Sequence, residues 1–360
     1  MTIDMIKKIA QLAEGKNKLR FMEVCGTHTV AIFRSGIRQI LPDNVELVSG
    51  PGCPVCVTND DYIDKAIAYS RRENFIVATF GDMLKVPGSR SSLAAAVAEG
   101  ADVRIVYSPL DCLKLAQENS DRKIIFLAVG FETTAPTQAA TVLAARAQGI
   151  KNLFMLSAQK LVPPALRFLL NDATIKVDGF LLPGHVAVII GANAFKFLET
   201  DFQIPSAIGG FEAEEILIAL ESLLEQIDGG KAIVTNNYQS VVKAEGNVAA
   251  QKILAQVYKA TDVEWRGIGT IKNSGLKMRD EFADFDIERV APIEIERVEK
   301  KSACRCGEVL RGLVNPTECP LFGKACQPLH AVGACMVSVE GVCAVWYKYG
   351  GNNFKWQEKF

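Results

Sequence analysis

Cysteine is the residue whose number and spacing most clearly indicate chemistry in this chain. Six of the ten cysteines lie between residues 304 and 343: Cys304, Cys306, Cys319, Cys326, Cys335 and Cys343. Their wide gaps lack the close Cys pairs of zinc fingers and ribbons, and they suit an iron–sulfur cluster, which takes four thiolates from separate loops. Spacing alone does not decide between Cys304 and Cys306 as a ligand, or what Cys335 does.

Disulfides among these six cysteines are the alternative interpretation. Disulfide frameworks are typical of small secreted domains that cannot build a core. Here 49% of the residues are hydrophobic, and the 360 residues are enough for two or three domains with their own cores. The composition therefore favours metal or thiol redox chemistry.

The first of two N-terminal motifs is Cys25-Gly26-Thr27-His28. A cysteine followed by glycine, where a strand gives way to a turn, is accessible, and His28 can lower the pKa of the thiol or carry a proton. The alternative is a buried small residue beside a capping histidine. This motif alone does not decide between the two.

The second motif, Gly50-Pro51-Gly52-Cys53-Pro54-Val55-Cys56, places a Cys-x-x-Cys pair at the end of a predicted strand. In dithiol redox centres one thiolate of such a pair attacks and the other resolves. The pair can equally form half of a metal site. A purely structural role is disfavoured, because both cysteines fall in a Gly/Pro turn and not in an apolar run.

Other candidate residues carry weaker signals. Glu132, in the segment Gly130-Phe131-Glu132-Thr133-Thr134-Ala135-Pro136, is a possible proton acceptor or donor at a sheet edge, although Thr134 and Pro136 are explained by an ordinary helix start. His185 and His330 are interpreted as a structural and a surface histidine, and Cys112 as a packing residue on a helix.

Short apolar runs alternate with helical stretches from about residue 45 to 235, the pattern of parallel sheets with crossover helices. The predicted strands are 45–48, 75–80, 103–107, 124–129, 153–156, 179–182 and 232–234. Most precede a Gly- or Pro-bearing turn, and ligands of open α/β sheets bind at the carboxyl ends of strands. The predicted fold is α/β, with two Rossmann-like units of parallel sheets over 1–118 and 119–230.

Residues 231–360 form the third predicted unit, which carries the cysteine-rich tail. A helix is expected over 244–260, followed by a segment punctuated with glycines. We expect little regular sheet here. The tail is predicted to be an iron–sulfur domain of short helices and loops.

Composition excludes several classes of function. The 40 basic and 41 acidic residues include no basic run, so nucleic acid is not expected as a partner. The most apolar stretch, 180–197, is interrupted by proline and glycine, so no membrane span is expected. Residues 1–12 read as an amphipathic helix without the apolar core of a signal peptide, which predicts a cytoplasmic protein. Phosphate-loop, His-Glu-x-x-His and Gly-x-Ser-x-Gly motifs are absent from the sequence.

Taken together and in this order, the CGTH, GPGCPVC and GFETTAP motifs and the cysteine tail resemble the HypD family of nickel–iron hydrogenase maturation proteins, nearly end to end. The resemblance implies a scaffold that works with a small HypC-like chaperone. On it, an Fe(II) ion acquires two cyanides and one carbon monoxide. HypE, working with HypF, is implied as the cyanide donor, and the hydrogenase large subunit as the final recipient.

The resemblance also implies roles for individual residues. Cys25 is the expected iron ligand, shared with a cysteine of the chaperone, and His28 would tune or deprotonate it. Cys53 and Cys56 would be a dithiol close to the iron, either binding the metal or passing electrons. The expected ligands of a 4Fe-4S cluster are Cys304, Cys319, Cys326 and Cys343, with Cys306 and Cys335 as an extra thiol pair.

Two other functions compete with the scaffold. A cluster-dependent thiol–disulfide reductase using Cys53 and Cys56 explains the tail but leaves Cys25 and His28 without a role. A structural zinc protein is the third possibility, and elemental composition after anaerobic purification distinguishes it.

Overall fold

The computed structural model describes residues 2–296 and 302–350. The strands are β1 (Leu19–Glu23), β2 (Val45–Ser49), β3 (Phe75–Thr79), β4 (Val103–Ile105), β5 (Lys123–Gly130), β6 (Leu153–Gln159), β7 (Gly179–Pro183), β8 (Ser206–Gly209), β9 (Val234–Asn236), β10 (Tyr258–Trp265) and β11 (Gly269–Met278).

The helices are α1 (Thr2–Ala13), α2 (Gly26–Arg34), α3 (Ile37–Ile40), α4 (Pro54–Val57), α5 (Asp60–Ser70), α6 (Leu93–Ala98), α7 (Asp111–Glu118), α8 (Ala135–Ala147), α9 (Val162–Leu170), α10 (Gly184–Ile190), α11 (Phe197–Thr200), α12 (Ala213–Asp228), α13 (Val248–Val257), α14 (Ile287–Val290), α15 (Cys306–Leu310) and α16 (Val342–Tyr349). Further 3₁₀ turns cover Gly81–Lys85, Ala192–Phe195, Asp280–Phe285, Pro316–Glu318 and Ala334–Met336.

The larger sheet is parallel throughout, in the order β2-β1-β7-β8-β9. β1 and β7 lie next to each other in the sheet. From β1 the chain adds β2 on one side, and from β7 it adds β8 and β9 on the other. Such a change of direction opens a crevice at the carboxyl ends of the two central strands, where open α/β sheets bind ligands. Cys25 follows β1 and His185 follows β7, so both lie at this crevice.

The smaller parallel sheet has the order β4-β3-β5-β6 and changes direction between β3 and β5. Asp82 follows β3 and Glu132 follows β5. The second motif connects the two sheets, because it leaves the end of β2 and its helix α4 packs against β5.

These two sheets confirm the predicted α/β class, and the six predicted strands between 45 and 182 are found where expected. The strand predicted over 232–234 lies at Val234–Asn236. The division placed at residue 118 passes through the smaller sheet, since β3 and β4 precede it and β5 and β6 follow it. The larger sheet likewise takes β1 and β2 from before that residue and β7 to β9 from after it.

The expectation of little regular sheet after residue 231 is wrong. β10 and β11 form an antiparallel hairpin, with Tyr258 paired with Met278 and Trp265 with Gly269. The helix predicted over 244–260 ends at Val257, directly before β10. From Tyr258 onward inner and outer positions alternate, which is the period of a strand, and no glycine or proline marks the change.

One buried apolar cluster joins the N-terminal motifs to the cysteine tail. It contains Val24, Cys56, Trp265, Cys306 and Cys335, all of them at most 9% exposed. Burial of this shared surface holds the tail against the carboxyl ends of both sheets. Across residues 2–296 and 302–350, none of the helices combines the length and apolarity needed to cross a bilayer.

Candidate thiol and metal centre

Cys25 occupies the N-cap of α2 in extended conformation, with φ −146° and ψ 125°. The backbone N–H groups of Thr27 and His28 lie at the start of α2, where they favour a thiolate on Cys25, although its sulfur accepts no cap hydrogen bond. Burial nevertheless raises the pKa of the Cys25 thiol to about 11. The free thiol is therefore protonated at neutral pH, while the helix amides are placed to stabilise a thiolate once a cation removes the proton.

His28 is fully buried, and its Nε2 lies 2.8 Å from the carbonyl oxygen of Gly210. A carbonyl only accepts, so Nε2 carries the proton and Nδ1 is the unprotonated nitrogen. Nδ1 is buried without a hydrogen-bond partner. Burial lowers the pKa of His28 to about 4, so the ring is neutral. Its contacts with Gly210 and with the stacked ring of Phe211, 4.6 Å away, fix the orientation of the imidazole.

The two N-terminal motifs meet through their backbones. The N–H of Gly26 donates to the carbonyl of Gly52 at 3.0 Å, and the N–H of Gly50 donates to the carbonyl of Glu23 at 2.7 Å. A Cβ on Gly52 would lie 2.4 Å from the backbone nitrogen of Cys25 and 2.6 Å from its Cα. Only glycine permits this approach, which holds the turn carrying Cys53 against Cys25.

A buried carboxyl lies beneath this contact. Oε1 of Glu23 accepts hydrogen bonds from the hydroxyls of Thr29, at 2.8 Å, and Ser49, whereas Oε2 has no partner. Burial raises the pKa of Glu23 to about 7. Sequence reasoning missed Glu23, although an acidic residue at the end of an inner strand, two positions before Cys25, was an available signal.

Cys53 and Cys56 form a buried pair at α4. Cys53 is the N-cap residue, and its sulfur accepts the N–H of Cys56 at 3.3 Å. Burial raises the pKa of Cys56. The thiol of Cys56 lies near that of Cys335 in the C-terminal tail, where α4 packs against the turn Ala334–Met336.

Contacts between thiols continue from Cys335 into the tail. The sulfurs of Cys335 and Cys306 lie 3.0 Å apart. Cys306 in turn contacts Cys304, and Cys335 contacts Cys343. The structure thus connects the Cys-x-x-Cys turn to the tail through sulfur. None of the ten cysteines, all within the described residues, is in a disulfide.

The tail surrounds a narrow hollow of about 10 Å³, with about 300 Å³ of unfilled space when its open mouth is included. Its lining consists of the six tail cysteines with Val309, Phe322, Gly333 and Met336. Sulfur is the only kind of side-chain atom in this wall that can bind a metal. Cysteine sulfur is the donor that iron–sulfur clusters use. The residues present therefore fit such a group. Among the residues described, no three His, Cys, Asp or Glu side chains are gathered to hold a single metal ion.

Two features of the loop from Cys326 to Gly333 were not foreseen. The N–H of Val332 donates to the sulfur of Cys326 at 3.4 Å, and the N–H of Gly333 also points at it. Hydrogen bonds to sulfur help to set the potential of a cluster. A Cβ on Gly333 would lie 3.0 Å from the sulfur of Cys304, so glycine leaves room for that thiol.

Glu340 and Asp82 are further polar residues that sequence reasoning missed. Oε1 of Glu340 accepts from the hydroxyl of Thr27 at 2.8 Å, and Ser338 donates to Oδ2 of Asp82 at 3.1 Å. The segment between Cys335 and Cys343 therefore contacts both sheet crevices. No spacing or composition signal in the sequence indicated the contact of Glu340 with Thr27.

Glu132 has polar contacts of a different kind. Its Oε1 accepts the N–H of Val162 at 2.8 Å, and its Oε2 is buried without a partner. Burial raises the pKa of Glu132 to about 7. The carboxyl lines a mostly apolar cavity with Leu161 and Tyr258, and the polar contacts described for it do not include a thiol.

The remaining candidate residues are two histidines and Cys112. His185 is exposed and stacks on Phe211 at 3.8 Å, and His330 is exposed in a loop. Cys112 is fully buried on α7, as a packing residue would be.

Comparison with known proteins shows the family of this chain. Residues 1–350 match the profile named HypD and described as "Hydrogenase formation hypA family". The chain belongs to the HypD family. It is 46% identical over 335 residues to the hydrogenase maturation factor HypD of Escherichia coli, covering 92% of this chain and 89% of that protein. It is 44% identical over 350 residues to the hydrogenase maturation factor HypD of Azotobacter vinelandii, covering 95% of this chain and 92% of that protein. A putative hydrogenase expression/formation protein of Methanocaldococcus jannaschii is 44% identical over 344 residues, 96% of each chain. The resemblance to HypD inferred from the motifs is confirmed.

Proposed function

We propose that this chain is a hydrogenase maturation factor: a scaffold that, with a small HypC-like chaperone, holds Fe(II) while two cyanides and one carbon monoxide are attached. The observation that carries the proposal is the contact between the two N-terminal motifs. It places Cys25, at the crevice of the larger sheet, beside a dithiol that reaches the tail through Cys335.

Cys25 is the proposed ligand of this iron, which is the cargo of the protein. Its sulfur is polarizable and suits low-spin iron with cyanide and carbon monoxide. The amides of Thr27 and His28 at the start of α2 favour the thiolate, and burial keeps water from it. The neutral His28, with its unprotonated Nδ1, can accept the proton that leaves the thiol. A cysteine of the chaperone would complete the ligation.

The tail is proposed to hold a 4Fe-4S cluster through Cys304, Cys319, Cys326 and Cys343. The cluster, when bound, supplies single electrons. Cys306 and Cys335 then form a thiol pair between it and the second motif, in agreement with their separation of 3.0 Å. Cys53 and Cys56 give up two electrons and two protons when they close to a disulfide, and they recover both when they are reduced.

We propose HypE, with HypF, as the cyanide donor and the hydrogenase large subunit as the recipient of the finished unit. These steps take place in the cytoplasm. The hydrogenase-related names of the HypD relatives support this place in maturation.

Infrared spectroscopy tests the proposal. The chain purified anaerobically with its chaperone should show cyanide and carbon monoxide stretching bands. Cys25→Ala should abolish the bands and leave the visible absorbance of the cluster, because the two sites are separate. Cys112→Ala, which removes a buried thiol on α7, is the matched control and should retain both signals. A complex that contains iron but lacks these bands would contradict the scaffold.

The contact of Cys56 with Cys335 also favours a second function, a cluster-dependent thiol–disulfide reductase acting through Cys53 and Cys56. That activity does not need Cys25. Disulfide turnover that is unchanged by Cys25→Ala would favour the reductase, and its absence from the wild-type chain would eliminate it.

A further inference from the structure

A groove lies on the outer side of the cysteine cavity. Its walls are the loop and helix start from Lys85 to Ala95 and the loop from Pro328 to Val332, with Ser302 at one end. The space it encloses is about 1440 Å³, including its open mouth. The groove is therefore broad enough to receive side chains of another protein.

The groove combines positive charge with an exposed apolar residue. Lys85, Arg90 and His330 line it, and no acidic side chain occurs in the lining that the structure describes. Leu329 is 86% exposed at its edge. An apolar anchor within a charged rim is the usual composition of a docking surface.

Two carboxylates lie near Arg90 and its neighbour Ser89. Glu296 pairs with Arg90 at 2.7 Å, but both side chains are more than two-thirds exposed, so the pair is weak and open to exchange. Asp64 accepts the N–H of Ser89 at 2.8 Å, which anchors the loop from beneath.

The groove shares a wall with the cysteine cavity. Val332, in the lining, donates its N–H to the sulfur of Cys326. At the other end, the hydroxyl of Ser302 accepts the N–H of Cys304 at 3.1 Å. A redox centre seated in the groove would be separated from two of the cavity thiols by only a few bonds.

We infer that this groove is the docking surface of a small acidic iron–sulfur electron carrier. The inference rests on the cluster of the proposed function. A cluster held by Cys304, Cys319, Cys326 and Cys343 would take one electron from the reduced carrier at each docking event, with no covalent bond formed or broken. Two such electrons, with two protons from solvent, convert a disulfide between Cys53 and Cys56 into two thiols.

The test measures how fast a reduced acidic 2Fe-2S ferredoxin reduces the cluster of the anaerobically purified chain, by stopped-flow absorbance. The double variant Lys85→Glu/Arg90→Gln should slow this reduction at low salt on the order of tenfold and weaken its dependence on salt. Reduction by dithionite, which needs no docking surface, should stay at the wild-type rate.

Two further variants make the test specific. Lys151→Glu/Lys231→Gln carries the same change in charge at exposed lysines just before β6 and β9, at the opposite sheet ends, and should behave as wild type. Leu329→Ser should slow the reduction of the cluster by ferredoxin, although this substitution leaves the charge of the groove unchanged. If ferredoxin reduced the cluster at the same rate in all variants, the docking inference alone would be overturned. A reconstituted chain that binds no cluster would overturn the proposed function and this inference with it.

Discussion

The contact between the two N-terminal motifs predicts that Gly52→Ala separates them. The added Cβ would lie 2.4, 2.6 and 2.7 Å from backbone atoms of Cys25 and Val24. Ordinary contacts begin near 3.4 Å, so the two segments must move apart by about 1 Å. The obstructing atoms are backbone, and a rotamer change cannot relieve the clash.

The cost of this change follows from two effects. Overpacking of a tight site costs about 1–3 kcal/mol. The hydrogen bond from Gly26 to Gly52, 3.0 Å long, is stretched at the same time, which adds about 1 kcal/mol. We expect a loss of about 2–4 kcal/mol in the free energy of unfolding, measured by anaerobic urea titration.

Gly81→Ala is the matched control for this measurement. Gly81 also follows a central strand, and the nearest atom to its added Cβ is 4.0 Å away. Its stability should change by less than about 0.5 kcal/mol. A Gly52→Ala variant as stable as the control, with full infrared bands in complex with the chaperone, would refute the view that backbone contact positions Cys25.

Three further predictions concern Glu23, Gly333 and the pair formed by Thr27 and Glu340. Glu23 has a pKa raised by burial from 4.5 to about 7, so the fold prefers its protonated form and stability falls as pH rises between these values. Glu23→Gln should remove this fall in stability, which amounts to at most about 3 kcal/mol. Urea titrations at about pH 5 and pH 8 measure it. If the free energy of unfolding changed equally between these pH values in both proteins, the raised pKa of Glu23 would be contradicted. Gly333→Ala, which crowds the sulfur of Cys304 at 3.0 Å, should lower cluster content, measured as iron and sulfide per chain; wild-type content would argue against Cys304 as a ligand. In a double-mutant cycle, Thr27→Val and Glu340→Gln should couple by about 0.5–1.5 kcal/mol, and additive effects would show that their hydrogen bond contributes nothing to stability.

The sequence was most informative where apolar runs are continuous. The strands β3, β5, β6 and β7 are buried over almost their whole length and therefore read as largely apolar runs rich in Ile, Leu, Val and Phe. β1 was not among the predicted strands, because Arg20 and Glu23 interrupt its apolar pattern. β8 is only Ser206–Gly209, too short and too poor in large apolar residues to be recognised.

The thiol motifs were identifiable from residue type and spacing, but their contacts were not. The meeting of Gly26 with Gly52, and of Cys56 with Cys335, depends on strand order and on how the tail packs over both sheets. Local patterns contain no information on either. Glu340 was missed for the same reason, since its contact with Thr27 joins residues distant in the chain. Glu23 had a local signal, its place just before Cys25, but its hydrogen bond with Ser49 depends on the pairing of β1 with β2.

The central claim is that sulfur binds iron at two separate places, Cys25 and the tail. Mössbauer spectroscopy of the chain produced with isotopically enriched iron, and purified anaerobically with its chaperone, tests this most directly. We expect cluster iron and a low-spin single iron in a ratio of about four to one, with only the single iron lost in Cys25→Ala. One iron population, or zinc in place of iron, would contradict it.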